Sequence, residues 1–204
     1  MVRALTLAAA VAVAALISAA PAASQTLTID PASSTATIDV GKAGVFSFAA
    51  GHTHEVRGPI ESGTVNFDTH DASRDRVDLV IASSALQVSA KGEPPADVPE
   101  VQAAMQSEKV LASARFPKIT FTSTAVNGVR DAASFDATVT GMLTIRDRSR
   151  PVTTTVHVQR TASSLTATGR FTIRQTAFGI QPISVAGVVK VEDELKIAFS
   201  IVAR

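Results

Sequence analysis

From about residue 34 to the C-terminus, nearly every segment alternates apolar and polar residues with a period of two. Phe135, Ala137, Val139, Gly141, Leu143 and Ile145 fall on one face, and Ser134, Asp136, Thr138, Thr140 and Thr144 on the other. Leu165, Ala167, Gly169, Phe171 and Ile173 repeat the pattern against Ser164, Thr166, Thr168, Arg170 and Thr172. Leu195, Ile197, Phe199 and Ile201 do so again opposite Lys196, Ala198 and Ser200. A strand points successive side chains to opposite faces, so each run has one buried and one wet face. Many such strands with almost no helix between them predict an all-β, antiparallel sheet that closes on itself or on a second sheet.

The periodicity predicts strands near 27–30, 35–40, 43–50, 52–58, 62–68, 75–83, 118–126, 134–145, 151–160, 163–173 and 183–203, the last broken near Asp193. Turn signals separate them at Gly41, Gly58-Pro59, Ser62-Gly63, Asn127-Gly128, Arg150-Pro151, Gly179 and Pro182. One insertion interrupts the rhythm. After Gly92-Glu93-Pro94-Pro95, the residues Val98, Val101, Met105 and Leu111 form an apolar stripe that predicts a helix over 98–111. It is read as packing against or plugging an open end of the barrel, or as a lid that opens for a ligand.

The N-terminal stretch is different. Met1–Ala22 holds Arg3, an apolar run from Ala4 to Ile17, and small residues from Ser18 onward. That is the layout of a secretory signal, with Ala20-Pro21-Ala22 fitting the cleavage rule and cleavage as late as residue 24 a second option. An uncleaved anchor is the competing reading. Residues 25–204 are then one domain, exported to the periplasm. No later stretch of the sequence is long and apolar enough to span a bilayer.

Without Arg3, the 19 basic residues become 18 against 18 acidic ones, so the exported chain is formally neutral. No basic patch with interleaved aromatics points to nucleic acid. The absence of Cys excludes thiol catalysis and thiolate metal sites. Phe is the sole aromatic, with no Trp or Tyr, which argues against a sugar-stacking module. No Gly-x-Ser-x-Gly elbow or glycine-rich phosphate loop occurs, and the carboxylates are scattered through turns. The chain is therefore read as non-enzymatic, with no catalytic motif and no cofactor assigned; the alternative reading is a metal-binding module or metal-dependent enzyme using the His52/His54 pair.

The expected interior gathers Ile38, Val40, Val65, Val77, Leu79, Ile81, Ile119, Val139, Ile145, Val152, Val156, Leu165, Ile173, Ile197 and Ile201 with the inward Phe and Leu residues. Ala50, Ala137, Gly141, Ala167 and Gly169 lie among them. Eight strands enclose just enough space for a solid core or one small ligand, and the small residues fit either a cavity or close strand packing. A guest of such a lumen is apolar. Ten buried methylenes contribute about 8 kcal/mol gross, against about 1 kcal/mol net for a neutral hydrogen bond. The tail would lie along Phe46, Phe48, Phe67, Phe121, Phe135, Ala137, Leu143, Ala167, Phe171 and Phe199, with His52, His54 and Arg57 nearer the head group. His52 and His54 share one strand face with Phe46, Phe48 and Ala50. Three readings of the pair stand: polar anchors at the mouth, direct ligand contact, or a metal site that lacks a third ligand in the nearby sequence.

The carriers of a family resemblance run through the chain in order. They are Leu27-Thr28-Ile29-Asp30-Pro31, then Val45-Phe46-Ser47-Phe48-Ala49-Ala50-Gly51-His52-Thr53-His54, then Val110-Leu111-Ala112-Ser113-Ala114-Arg115-Phe116-Pro117-Lys118-Ile119-Thr120-Phe121-Thr122-Ser123. Gly141-Met142-Leu143-Thr144-Ile145, Arg150-Pro151-Val152, Phe178-Gly179-Ile180-Gln181-Pro182 and Val191-Glu192-Asp193-Glu194-Leu195 complete the set. On these the chain resembles the YceI-like family of exported bacterial lipid-binding proteins over about residues 27–203. The resemblance implies an extended, lipocalin-like antiparallel barrel with a helix folded against it. It implies a pocket for a long polyisoprenoid or similar amphiphile, such as a polyprenyl quinone precursor or a fatty amide, and requires no metal. It also implies an isoprenoid or fatty-acyl lipid as partner, transient membrane contact, and a homodimer in some relatives. The chain departs from many relatives in having Ala32, Ser33 and Ser34 where they carry a His after the opening Asp-Pro.

Overall fold

The computed structural model describes residues 24–43, 54–91, 95–130, 132–185 and 189–204. The signal-like segment and the expected tail residues Phe46 and Phe48, with His52, lie outside the described residues, as does most of the strand expected at 43–50. In chain order the strands are β1 (Ser24–Thr28), β2 (Thr35–Ala43), β3 (His54–Pro59), β4 (Ser62–Asp68), β5 (Arg76–Ala82) and β6 (Gln87–Val88). After the helix α1 (Val98–Gln106) come β7 (Lys118–Gly128), β8 (Ser134–Ile145), β9 (Arg148–Arg160), β10 (Leu165–Arg174), β11 (Ser184–Val185) and β12 (Val189–Ala203).

These strands form one antiparallel sheet in the order β1-β4-β5-β7-β8-β9-β10-β12-β2-β3-β6, with β11 on β12. The long β12 serves two partners along one edge. Its residues 190–200 pair with β2, whereas its end meets the segment after β1. Thr28 and Arg204 exchange backbone bonds of 2.7 and 2.9 Å, and the Asp30 amide donates to the Val202 carbonyl at 2.8 Å. Eight strands, β1-β4-β5-β7-β8-β9-β10-β12, are thereby curled into a barrel closed at this end, and β2-β3-β6 continue the sheet as a flap. Among the described residues no helix is long and apolar enough to cross a membrane.

The helix follows its apolar stripe but stops sooner than the pattern predicts. Ser107 turns extended, its hydroxyl donates to the Ala104 carbonyl at 2.7 Å, and its amide bonds the Ala103 carbonyl. The chain then folds back, the Leu111 amide reaching the Met105 carbonyl at 3.0 Å. Val98, Val101, Met105 and Val110 still pack on the same apolar cluster as Leu111, Leu143, Ile145 and Phe178, because the turn keeps them on one side. Gln102 ties α1 to the flap: its side chain accepts from the Val88 amide (2.8 Å) and donates to the Leu86 carbonyl (2.9 Å). The expected break near Asp193 is a register irregularity between Val191 and Leu195 inside a continuous β12.

A second irregularity corrects the inward set. Between Ser123 and Ala125 the β7–β8 register shifts by one residue, so parity reverses and Val126 becomes core although Phe121 and Ile119 face inward before it. Ser123 is buried there, and its hydroxyl accepts from the Val77 amide at 2.8 Å, replacing a ladder bond.

The inward glycines do not leave space. A Cβ on Gly141 would sit 2.6 Å from the Thr122 carbonyl oxygen and 2.4 Å from Cζ of the Phe121 ring. On Gly169 it would meet the Phe199 ring and come within 3.1 Å of the Thr155 carbonyl. Each glycine lets a cross-strand phenyl approach the backbone where a side chain would clash, an arrangement that supports glycine positions in sheets. Gly141→Ala is expected to destabilise the fold by about 1–3 kcal/mol, and Gly169→Ala by less because the fixed backbone there is farther away. Urea unfolding of both variants checks the order; equal or negligible losses contradict it.

Candidate functional site

Inside the barrel lies a cavity of about 150 Å³. All eight expected tail residues that the structure describes line it: Phe67, Phe121, Phe135, Ala137, Leu143, Ala167, Phe171 and Phe199. They come from β4, β7, β8, β10 and β12, and the two-residue period brings them to one lumen. Phe67 and Phe135 tilt together at 6.4 Å between ring centres, and Phe171 and Phe199 at 6.3 Å. Among the lining residues only Asp75, Thr120, Arg130 and Thr154 carry polar side chains.

Asp75 and Arg130 form the polar feature the strand pattern did not single out. Their side chains are each 6% exposed and form an ion pair, with Arg130 Nη1 also 3.2 Å from Asp75 Oδ1 and bonded to the Asp68 carbonyl. The guanidinium carbon lies 4.4 Å from the centre of the Phe67 ring and 5.7 Å from that of Phe135. Asp75 Oδ1 accepts the Asp68 amide at 2.8 Å. Burial pushes the Asp75 carboxyl above its ordinary range, against the hydrogen bonds from Arg130 and the Asp68 amide. A signal was available: Asp75 shares inward parity with Val77, Leu79 and Ile81, and a charge there demands a buried counter-charge. Arg130 gave none, because it sits in the β7–β8 connection outside any periodic run.

Of the expected head-group residues, His54 and Arg57 fall among the described residues. His54 is buried at the start of β3, on the same face as Val56. Arg57 points to the opposite, exposed face and pairs with Glu55 at 2.9 Å. Neither lines the cavity. A chelating pair needs His52, outside the described residues, and among the described residues no three His, Asp or Glu side chains converge on a metal position.

On the outer face of β8 and β9, Ser134 Oγ lies 3.1 Å from His157 Nε2, and His157 Nδ1 lies 2.8 Å from Asp136 Oδ1. The connectivity matches a nucleophile–base–acid relay. Asp136 and His157 are, however, directly opposed register partners with side chains 68% and 50% exposed, and none of the trio lines the lumen. It is a polar cross-strand ladder on a wet face.

At the far end of the barrel, the 3-10 turn Gln175–Phe178 is held by Asp193, whose carboxylate accepts from the Thr176 amide (2.8 Å) and hydroxyl (2.7 Å). These bonds, the amide first, together with the charge of Arg174, hold the Asp193 carboxyl below its ordinary 3.8.

Residues 27–203 match the family model described as the YceI-like domain. The chain belongs to the YceI-like family. No curated relative matches it. Among solved structures, the YceI-like chain is similar to Burkholderia cenocepacia BcnA, with a TM-score of 0.64 and 22% identity over 86% of this chain and 99% of that one. It is also similar to the Campylobacter jejuni YCEI protein, with a TM-score of 0.53 and 15% identity over 70% of this chain and 80% of that one. At these identities the likeness establishes the fold, a barrel of the same architecture.

Two outcomes follow from this geometry. Arg130→Met or Asp75→Leu alone is expected to cost about 3–5 kcal/mol, because each strands a buried charge, while the double variant recovers much of the loss. Chemical unfolding of the three variants measures this, and additive losses would contradict it. Because the folded Asp193 pKa is depressed, its stabilisation is complete above 3.8 and lost as pH falls through the folded value. The melting temperatures of wild type and Asp193→Ala should therefore differ at neutral pH and converge in acid.

Proposed function

We propose that this YceI-like protein binds the hydrocarbon tail of a polyisoprenoid or similar long-chain amphiphile in its barrel lumen, and carries or sequesters it in the periplasm. The observation that supports it is the lumen: a space walled by apolar side chains from eight strands, with its charges drawn together in one pair at Asp75 and Arg130. Such a site draws its affinity from tail burial, since almost no wall atom offers a hydrogen bond. The signal-like Met1–Ala22 supports delivery to the periplasm. The role proposed is binding without chemistry on the guest.

A volume of about 150 Å³ is a size that takes one benzene-like guest in other proteins. A longer tail must therefore reach beyond this space or part its half-buried walls, which include Val77, Leu79, Ile81, Val139 and Phe199.

Ala137 and Ala167 face this space, so a larger side chain at either position enters the guest's volume. Ala137→Leu and Ala167→Leu should abolish uptake of a long-chain alcohol or polyprenol, seen as loss of the ligand-shifted mass in native mass spectrometry, with little change in melting temperature. Wild-type protein from its own periplasm that carries no lipid and takes up none on addition would refute the binding role. A fall of about 1–3 kcal/mol in both variants would mean the space is too tight to receive a guest.

A further inference from the structure

The barrel wall is split along half the length of one strand pair. The β9–β10 ladder runs only from Leu165 opposite Arg160 to Gly169 opposite Val156. Beyond it, β9 stays bonded to β8 down to Arg148, and β10 stays bonded to β12 up to Arg174. The two strands thus hold their outer neighbours but diverge from each other. The local sequence accounts for this. Pro151 cannot donate to a ladder and is tolerated at a strand edge. Where the split begins, the Thr154 hydroxyl bonds the Arg170 carbonyl at 2.9 Å, a side chain taking the place of the next strand amide.

An open groove of about 1090 Å³ occupies the split. It is lined by residues 150–155 of β9 and 170–174 of β10, and its floor shares Val152, Thr154, Phe171 and Ile197 with the lumen. The groove therefore adjoins the lumen through the wall. Its rim carries four exposed cations, Arg150, Arg170, Arg174 and Lys196, against the one carboxylate of Asp39. None of the four cations forms an ion pair among the described residues. Beside the rim, the Asp193 carboxylate takes the Thr176 bonds while feeling the charge of Arg174, and Glu194 is the register partner of Arg174.

We infer that the β9–β10 split is the lateral entry to the lumen and that its cationic rim binds the anionic head group, carboxylate or phosphate, of a single-chain amphiphile whose tail passes between the strands. This rests on the lumen binding a hydrocarbon tail. It adds the charge of the head group and the route of entry. Guanidinium groups suit both oxyanions, which they bind by paired hydrogen bonds. A tail passing between the strands meets Val152, Phe171 and Ile197, which line groove and lumen alike, and the groove supplies space that the lumen lacks.

The test uses the full exported chain and displacement of N-phenylnaphthylamine from the lumen by oleate, oleyl phosphate and oleyl alcohol. Oleate or oleyl phosphate should bind about tenfold or more tightly than the alcohol. The Arg170→Gln/Arg174→Gln variant should lose that advantage while binding the alcohol as wild type does, and Arg170→Lys/Arg174→Lys should retain most of it. A preference for oleyl phosphate over oleate, or the reverse, identifies the oxyanion. Entry is read separately, because the chain has no cysteine of its own. A polyethylene glycol maleimide on Thr172→Cys, at the groove, should slow alcohol uptake about tenfold, whereas the same label on Thr122→Cys, on the outer face of β7, should not. Equal affinity for anion and alcohol, unchanged by the Gln variant, overturns the rim; equal uptake rates for both labelled proteins overturn the entry. A Gln variant that fails only to sediment with anionic phosphatidylglycerol vesicles also overturns the rim, by assigning it to a membrane surface. If wild type binds neither alcohol nor anion, the lumen reading itself has failed.

Discussion

The backbone bonds between residues 28–30 and 202–204 turn a curled sheet into a barrel. A sheet with one apolar face must cover that face, and here it does so by meeting itself rather than by packing on a second layer. β12 makes this possible because it is long enough to pair with β2 over most of its length and still reach the residues after β1. At the opposite end the flap β2-β3-β6 and α1 take over, joined through the Gln102 side chain.

Inside this closure the volume is apportioned by a few residues. Gly141 and Gly169 are filled by the phenyl rings of Phe121 and Phe199, while Ala137 and Ala167 face the open space. At the closed end the Arg130 guanidinium lies over Phe67 with Asp75 beside it, so a desolvated charge pair rather than a hydrophobic side chain ends the lumen. Such a pair contributes little net stability compared with an apolar replacement, yet neither member can be removed alone.

On the proposed reading, lumen and groove form one binding site with two chemistries. The lumen is almost wholly apolar, and the cations are gathered outside it, on the rim of the β9–β10 split. That separation suits an amphiphile better than a uniformly apolar guest, because tail and head meet different surfaces joined through shared wall residues.

Much of this was legible in the sequence. The alternation along 134–145 and 165–173 placed Phe135, Ala137, Ala167 and Phe171 on the lumen side, because a strand's side-chain period depends on local backbone geometry alone. The apolar stripe from Val98 located the helix for a similar reason, although its end at Gln106 depended on how Ser107 capped it. What local pattern could not carry was anything set by a partner strand. The bulge that turns Val126 inward, the pairing of Asp75 with Arg130 from a distant connection, and the parting of β9 from β10 after Gly169 all depend on register between segments remote in the chain. The sequence by itself determined which residues face inward along each regular strand. Only the tertiary structure decided where the wall closes and where it opens, because hydrogen-bond register and charge pairing belong to two segments at once.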